Sequence, residues 1–221
     1  MFFSGRRRSL LLNKMVAKME ERLAKETAKK IMEIKGEARG ITIKTDWRVI
    51  LRQRGPDGLK KVERRMAELG WPLEYEEIKT VDFYPIGYDA LSLLVIKEVF
   101  DLNDRQMEEL GAAGVKISLF FKILLNYFVS LKALFGQVPK FWRKHYTVGD
   151  FEVSEFNEEE KYVVFRLKNF ALHPTFCATL RGIFSKTMEI ALNVRAVCRE
   201  TKCVFKGDKH HELLLKWEQK K

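Results

Sequence analysis

The sequence predicts an α+β fold, in which a mainly helical N-terminal portion is followed by an antiparallel sheet with a packed helix. Apolar residues recur at helical spacing over most of the chain before Tyr146, whereas segments after it alternate apolar and polar residues as strands do. Neither a G-x4-G-K-[ST] nor a G-x-G-x-x-G spacing occurs in the 221 residues. Nucleotide chemistry that depends on those phosphate-binding loops is therefore not expected.

The composition is that of a globular protein with an excess of positive charge. Hydrophobic residues make up 46% and charged residues 32% of the chain, and the net charge is +11. Most cations are dispersed among carboxylates, so neither nucleic-acid binding nor contact of the basic N terminus with a membrane surface is favoured. Three cysteines, and no apolar secretory segment after Arg6 to Arg8, favour a reduced, cytoplasmic protein.

The first predicted element is an amphipathic helix from Asn13 to about Ile34, which Gly36 ends. Its apolar stripe could dock on the same chain or pair with a second copy, so a homodimer through this N-terminal region is one expectation. Residues 1–37 are accordingly assigned to a basic tail and this helix, and residues 38–221 to one ligand-binding domain.

Within that domain, residues 38–147 are predicted to be mainly helical. A short strand is predicted at Ile41–Lys44, and one buried helix at Val115–Phe135, since lysines interrupt this apolar stretch and would be costly at a bilayer centre. The other predicted helices of this part are Gly58–Leu69, Asp89–Phe100 and Asp104–Leu110.

Residues 148–221 are predicted to form, in order, two strands, a helix and two strands. The alternating segments are Phe151–Phe156, Tyr162–Leu167, Val194–Glu200 and His211–Trp217, and the segment with a 3.6-residue period is Thr175–Leu192. An acidic turn joins the first pair of strands and a turn at Gly207 joins the second pair. Ligands that are far apart in the sequence could converge in such an arrangement.

Four side chains in the C-terminal third are of the kinds that metal ions prefer. Cys177, Glu200, Cys203 and His211 follow the order C-x22-E-x2-C-x7-H. Together they are a possible set of ligands for one tetrahedral zinc ion, with no position left for a reactive water. The residues alone leave a second interpretation open, in which the cysteines are ordinary buried residues and the histidine, beside His210, lies on the surface.

The segment Thr201–Glu212, T-K-C-V-F-K-G-D-K-H-H-E, resembles the signature of the 4-vinyl-reductase-type small-molecule-binding domain. The resemblance is specific from about Gly149 to Trp217, including the helix that contains Gly182. It implies a non-catalytic sensor domain for an aromatic, hydrocarbon or lipid-like molecule. A tethering scaffold that holds an acyl chain and a vinyl reductase of tetrapyrrole metabolism are the alternatives.

The resemblance also implies a structural zinc ion as the cofactor. The family holds this ion with Cys, Glu, Cys and Cys, and the first three ligands match in type and spacing. The implied ligands are Cys177, Glu200, Cys203 and His211, of which the last stands where the family usually has Cys, with His210 as its substitute.

The family is similar in fold to the superfamily that contains haem-based nitric oxide sensors and subunits of Golgi vesicle-tethering complexes. Haem binding in that superfamily needs a proximal His and a Y-x-S-x-R run, and Val164–Asn169 stands in the comparable place. A haem is therefore not expected, although His145 and His173 keep it from being excluded.

An apolar pocket for a small ligand is predicted from the aromatic-rich segments. Such pockets are mostly apolar with a few polar groups that fix the ligand's orientation, and polar-edged residues would lie near the mouth. The alternative is that all of these side chains are simply core. The candidate ligand-binding residues are Phe120, Leu124, Phe128, Trp142, His145, Tyr146, Tyr162 and Phe165.

Overall fold

The computed structural model describes residues 23–118 and 130–218, and the element labels below number the elements of these residues. The predicted helix from Asn13 falls within this part only at its end, where α1 spans Lys25–Met32. The homodimer interface predicted for the N-terminal region lies largely outside the described residues and stays a prediction.

The N-terminal portion is mainly helical, as predicted. Its longest helix is kinked at Gly55, whose φ of 70° is not helical, and continues from Pro56. Two three-residue strands pair beside the helices, with Ala38 opposite Tyr84. The elements are β1 (Glu37–Arg39), α2 (Gly40–Glu68), a 3₁₀ turn (Tyr75–Glu77), β2 (Phe83–Pro85), α3 (Ile86–Val99), α4 (Asp104–Ile117), α5 (Leu131–Gly136) and α6 (Val138–His145).

The C-terminal portion has the predicted order of two strands, a helix and two strands. Its antiparallel sheet has the spatial order β3-β4-β6-β5, so the last strand lies between β4 and β5. Buried side chains alternate along β4 and β6 and face α7, as the period of two requires. The elements are β3 (Asp150–Asn157), β4 (Tyr162–Lys168), α7 (Pro174–Leu192), β5 (Ala196–Lys202), a 3₁₀ turn (Val204–Lys206) and β6 (His211–Trp217).

The two portions meet where α4 crosses α7 at very short range. A Cβ atom added at Gly182 would lie 1.8 Å from the carbonyl oxygen of Glu108, and one added at Gly111 would lie 2.2 Å from that of Thr179. Glycines on both helices therefore let the two backbones touch. Arg181 adds an ion pair to Glu108, with Nε and Oε2 3.2 Å apart.

Two predictions for the helical portion are wrong. Ile41–Lys44 is not a strand but the first turn of α2, because Ile43 is fully buried in the helical core and the true strand ends at Arg39. Val115–Phe135 is not one helix either. Ser118 and Ser130 have extended backbones that end α4 and begin α5, and Ser130 caps α5 by accepting from the amide of Ala133.

One hydrophobic core runs through both portions of the described chain. It includes the fully buried Trp47 and Ile86 in the helical portion and Val163 and Leu167 in the sheet. None of the helices in the described ranges combines the length and apolar character that a membrane crossing requires.

Candidate functional site

The four predicted metal ligands converge in space. Cys177 lies in the first turn of α7, which begins at Pro174. Glu200 lies near the end of β5, Cys203 directly follows this strand, and His211 begins β6. One ligand atom from each residue lies within 4.8 Å of the other three. The Sγ atom of Cys177 is 3.6 Å, and Oε1 of Glu200 is 3.1 Å, from Nδ1 of His211.

Neighbouring backbone holds these side chains in place. Nε2 of His211 lies 3.1 Å from the carbonyl oxygen of Phe170 and can only donate to it. When the His211 ring is neutral, its hydrogen is on Nε2, and the lone pair of Nδ1 points at Glu200 and Cys177 and is available to a metal ion. The amide of Cys203 donates to Asp208 Oδ2 at 2.8 Å across the turn at Gly207.

The electrostatics of the cluster favour a cation among its members. Burial raises the pKa of the Cys177 thiol, and the charge of Glu200 raises it further. Burial also raises the pKa of Glu200, but hydrogen bonds from His211, Cys177 and Cys203 outweigh this effect and hold it below its usual value. In the absence of an ion, this carboxylate accepts from Nδ1 of His211, and a metal ion could take the place of that hydrogen between the carboxylate and the ring.

The structure brings together only some of the predicted ligand-binding residues. Phe120, Leu124 and Phe128 lie outside the described residues. Trp142, Tyr146 and Phe165 belong to one aromatic cluster, whereas His145 lies beside it with Nδ1 2.8 Å from the carbonyl oxygen of Phe141. Tyr162 is remote from them, on the outer face of β4, where its hydroxyl donates to Glu155.

The aromatic cluster fills the junction between α6, the sheet and α7. The ring of Trp142 has its centroid 4.5 Å from that of Tyr146 and 5.1 Å from that of Phe170, and its Nε1 donates to the carbonyl of Val148. The other close pairs have centroids 5.1–6.0 Å apart. Their rings belong to Phe135, Phe151, Phe156, Phe165, Phe176 and Phe184.

A buried polar group at the same junction was not predicted. The Tyr146 hydroxyl donates to Asp89 Oδ2 at 3.0 Å, and Oδ1 of Asp89 lies 3.1 Å from Oγ1 of Thr42. Asp89 is 1% exposed. The signal that could have found it is the single acid in the otherwise apolar run I-G-Y-D-A-L-S-L-L-V-I at the start of α3.

Two carboxyl groups at this place titrate abnormally. Burial raises the pKa of Asp89 to about 6, although hydrogen bonds from Tyr146 and Thr42 oppose the shift. Burial, and then the charge of Asp89, raises the pKa of Asp46 on α2 well above its usual value. Perturbed carboxyl groups beside an aromatic cluster make this junction a second candidate functional site.

Comparisons with known proteins identify the fold. No protein-family model matches the chain, and no curated protein matches it. Among solved structures, it is similar to an H-NOX protein from S. oneidensis in the Fe(II)NO ligation state, with 11% identity over 82% of this chain and 99% of that one, at a TM-score of 0.60. The chain is also similar to an Fe(II) unliganded H-NOX protein from K. algicida, with 13% identity over 82% of this chain and 97% of that one, at a TM-score of 0.61.

A third neighbour is an oxygen-binding H-NOX domain related to soluble guanylate cyclases. It is 11% identical over 83% of this chain and 99% of that one, with a TM-score of 0.58. The predicted α+β fold of the nitric oxide signalling and Golgi transport type is confirmed by these matches. The narrower resemblance to the 4-vinyl-reductase-type domain is not confirmed by them.

The prediction of structural zinc as the cofactor is corrected by the same comparison. Two of the neighbours are described as Fe(II) proteins and a third as oxygen binding, and the description of a fourth names heme redox potential and porphyrin distortion. None of these four is described as a zinc protein. The four converging side chains remain, but the solved neighbours are described through Fe(II) and heme and not through zinc.

The aromatic junction, as its described residues pack, has no room for a haem. The packed rings at the junction, with centroids 4.5–6.0 Å apart, leave no gap the width of a macrocycle between them. All four histidines are described; the rings of three of them are hydrogen-bonded, whereas the buried Nε2 of His210 has no hydrogen-bond partner. His145 contacts the carbonyl of Phe141, His173 caps α7, His210 lies 3.7 Å from Glu212, and His211 belongs to the Cys177 cluster.

Proposed function

We propose that this chain is a non-catalytic small-molecule-binding sensor domain. The observation that carries the proposal is the fold correspondence, which extends over 97–99% of the H-NOX structures compared, one of them described as oxygen binding. Because identity is only 11–13%, the correspondence supports a shared architecture, and the ligand has to be argued from the residues of this chain.

The rings fill the junction in the described structure, so a ligand could enter only if some of them moved aside. The ligand whose chemistry suits the junction best is an apolar or aromatic molecule with one polar end. Aromatic side chains dominate the surroundings of Trp142 and Phe165, and the Tyr146 hydroxyl and the Asp89 carboxyl are the polar groups among them. A few polar groups in an apolar surrounding fix the orientation of a bound small molecule. The resemblance of residues 149–217 to the 4-vinyl-reductase-type domain supports the same ligand class.

A pair of tyrosine variants tests this proposal. Phenol, toluene and a medium-chain fatty acid are screened against the full chain by ligand-detected NMR. Tyr146→Phe should weaken binding of the phenol about tenfold and that of toluene little, because it removes one buried hydrogen bond of about 1.5 kcal/mol. Tyr162→Phe is the matched control, since its hydroxyl lies on the outer face of the sheet.

Two results would contradict the proposal. One is equal loss of binding in the two variants, because the junction would then not be the site. The other is a stoichiometric complex with added hemin, visible as a sharp Soret band, since the rings described here would then have to separate to admit a macrocycle.

We propose in addition that Cys177, Glu200, Cys203 and His211 bind one metal ion. The observation that favours this is the approach of all four ligand atoms to within 4.8 Å of one another, with the carbonyl of Phe170 fixing the imidazole. Thiolates bound to one cation would also be relieved of their mutual repulsion. The ion would tie α7 to the ends of β5 and β6.

Cobalt is a suitable probe because tetrahedral Co²⁺ with thiolate ligands absorbs strongly in the visible range. The full chain should bind one equivalent, and Cys203→Ser should abolish the thiolate absorption and lower the thermal stability. Cys198→Ser is the control, because Cys198 is equally buried but lies outside the four-residue cluster. Equal spectra or equal stability losses in Cys203→Ser and Cys198→Ser would rule out the site. Elemental analysis of the purified protein identifies the ion that it carries.

A further inference from the structure

A chain of hydrogen bonds crosses the junction between the helical portion and the sheet. It starts at the Tyr146 hydroxyl just after α6, passes through the Asp89 carboxyl on α3 and reaches Oγ1 of Thr42 on α2. From Thr42 it continues to the carbonyl oxygen of Arg39, the last residue of β1, at 2.8 Å. Four elements are therefore connected through one buried carboxyl group.

An ionised Asp89 would have two hydrogen-bond donors but no counter-charge. Tyr146 donates to its Oδ2 and Thr42 to its Oδ1, and Thr42 has a single hydroxyl hydrogen that it shares with the carbonyl oxygen of Arg39. Because Asp89 is 1% exposed, water cannot solvate its charge while the junction is closed. A protonated Asp89 still accepts from Tyr146 and places no charge in the junction.

The surroundings of Asp89 also disfavour its ionised form. Within residues 23–118 and 130–218, no cation forms an ion pair with it, and Asp46 on α2 adds a second carboxyl. The Arg39 guanidinium turns away to the carbonyl of Val81 and the ring of Phe83. On the remaining sides, His145 of α6 contacts its own helix, and α7 contributes the ring of Phe176 against Tyr146.

The segment that this carboxyl holds also carries backbone bonds between the two portions. The amide of Thr147 donates to the Glu37 carbonyl at 3.0 Å, and its hydroxyl accepts from the Glu37 amide at 2.8 Å. Ala38 and Tyr146 form an antiparallel bridge. Loosening Tyr146 would therefore loosen the attachment of β1 to the α6–β3 connection.

We infer that Asp89 is a proton-sensing latch, which closes the junction when it is protonated and loosens it when it is ionised. The same two side chains are the polar groups of the proposed ligand site, but the latch is a property of the free protein and does not depend on which ligand the domain binds. The pKa of about 6, raised by burial, lets the latch respond to moderate acidification. Since the free carboxyl ionises near 3.8, the junction weakens between pH 3.8 and about 6 and is constant above that range.

Amide hydrogen exchange of the full chain tests the latch. We expect lower protection factors for the backbone amides of residues 37–42 and 144–148 as the pH rises. After correction for the intrinsic exchange rate, these factors should fall about tenfold per pH unit between pH 4 and 6 and then level off. Asp89→Asn should make this fall shallower, because an amide accepts from Tyr146 and donates to Thr42 at every pH, while the Asp46 carboxyl still titrates. Asp57→Asn, an exposed carboxyl on α2, is the control and should behave as the wild type does.

A second variant tests the direction of the coupling. Tyr146→Phe keeps the ring but removes a hydrogen bond that lowers the Asp89 pKa, so the pH at which protection levels off should move upward. The inference fails if wild-type protection of these segments does not change with pH, if Asp89→Asn keeps the wild-type profile, or if Tyr146→Phe moves the profile downward.

Discussion

Replacing Gly182 by alanine should separate the two portions of the molecule. A Cβ atom at this position would lie 1.8 Å from the Glu108 carbonyl oxygen, 2.7 Å from its carbonyl carbon and 3.0 Å from the amide nitrogen of Ala112. All three atoms are backbone atoms of α4. No change of side-chain rotamer can relieve the overlap, so α4 has to move away from α7.

The expected loss of unfolding free energy in Gly182→Ala follows from two opposing effects. Overpacking a close contact costs about 1–3 kcal/mol, and more where backbone has to shift. Alanine in place of glycine inside a helix returns about 1 kcal/mol through helix propensity. Because this overlap involves backbone at well under van der Waals distance, the upper part of the range applies, and the free energy of unfolding should fall by about 2 kcal/mol or more.

Urea unfolding followed by circular dichroism measures this loss as a lower midpoint. Gly136→Ala is the matched control, since a Cβ at this end of α5 would meet no atom of the described residues within 4 Å outside its own helix and neighbours. That variant should unfold within about 0.5 kcal/mol of the wild type. The reasoning would be refuted if Gly182→Ala were as stable as the control, because α4 and α7 would then not touch through their backbones.

Two further outcomes are expected. The free energy of unfolding of the wild type should fall as the pH rises from 3.8 to about 6, because a native pKa above the unfolded value makes the protonated form the stabilising one. Asp89→Asn should reduce this slope in urea titrations at several pH values and leave the contribution of Asp46. Trp142→Phe should keep the aromatic contacts but remove the indole N–H that donates to the Val148 carbonyl at 2.9 Å. The free energy of unfolding should fall by about 1 kcal/mol, and an unchanged urea midpoint would contradict a stabilising role for this hydrogen bond.

Local periodicity was sufficient for the sheet portion and insufficient for part of the helical portion. The alternation of β4 and β6 extends over seven residues each, which is long enough to identify a strand. The pattern at Ile41–Lys44 is four residues long, and burial of Ile43 within the helical core decides in favour of a helix. At Ser118, an extended residue ends α4 inside a stretch whose hydrophobicity alone indicates one helix.

The candidate sites differ in how far the sequence could predict them. The four-residue cluster has side chains of unmistakable metal-ligand chemistry, so residue types and spacing were enough to nominate Cys177, Glu200, Cys203 and His211 before their convergence was seen. The latch could not be nominated in this way. Asp89 was only an acid at the start of an apolar helix, and its partners lie 47 residues before it and 57 residues after it.

By itself, the sequence determined the order of the elements in the sheet portion and the kinds of side chain available for binding, because both depend on neighbours a few residues apart. The tertiary structure alone decided that α4 and α7 touch through Gly182 and that Tyr146 reaches Asp89. It also decided that the aromatic rings pack against one another at the junction. Burial and hydrogen bonding between distant segments set these features, and a local pattern of residues does not contain them.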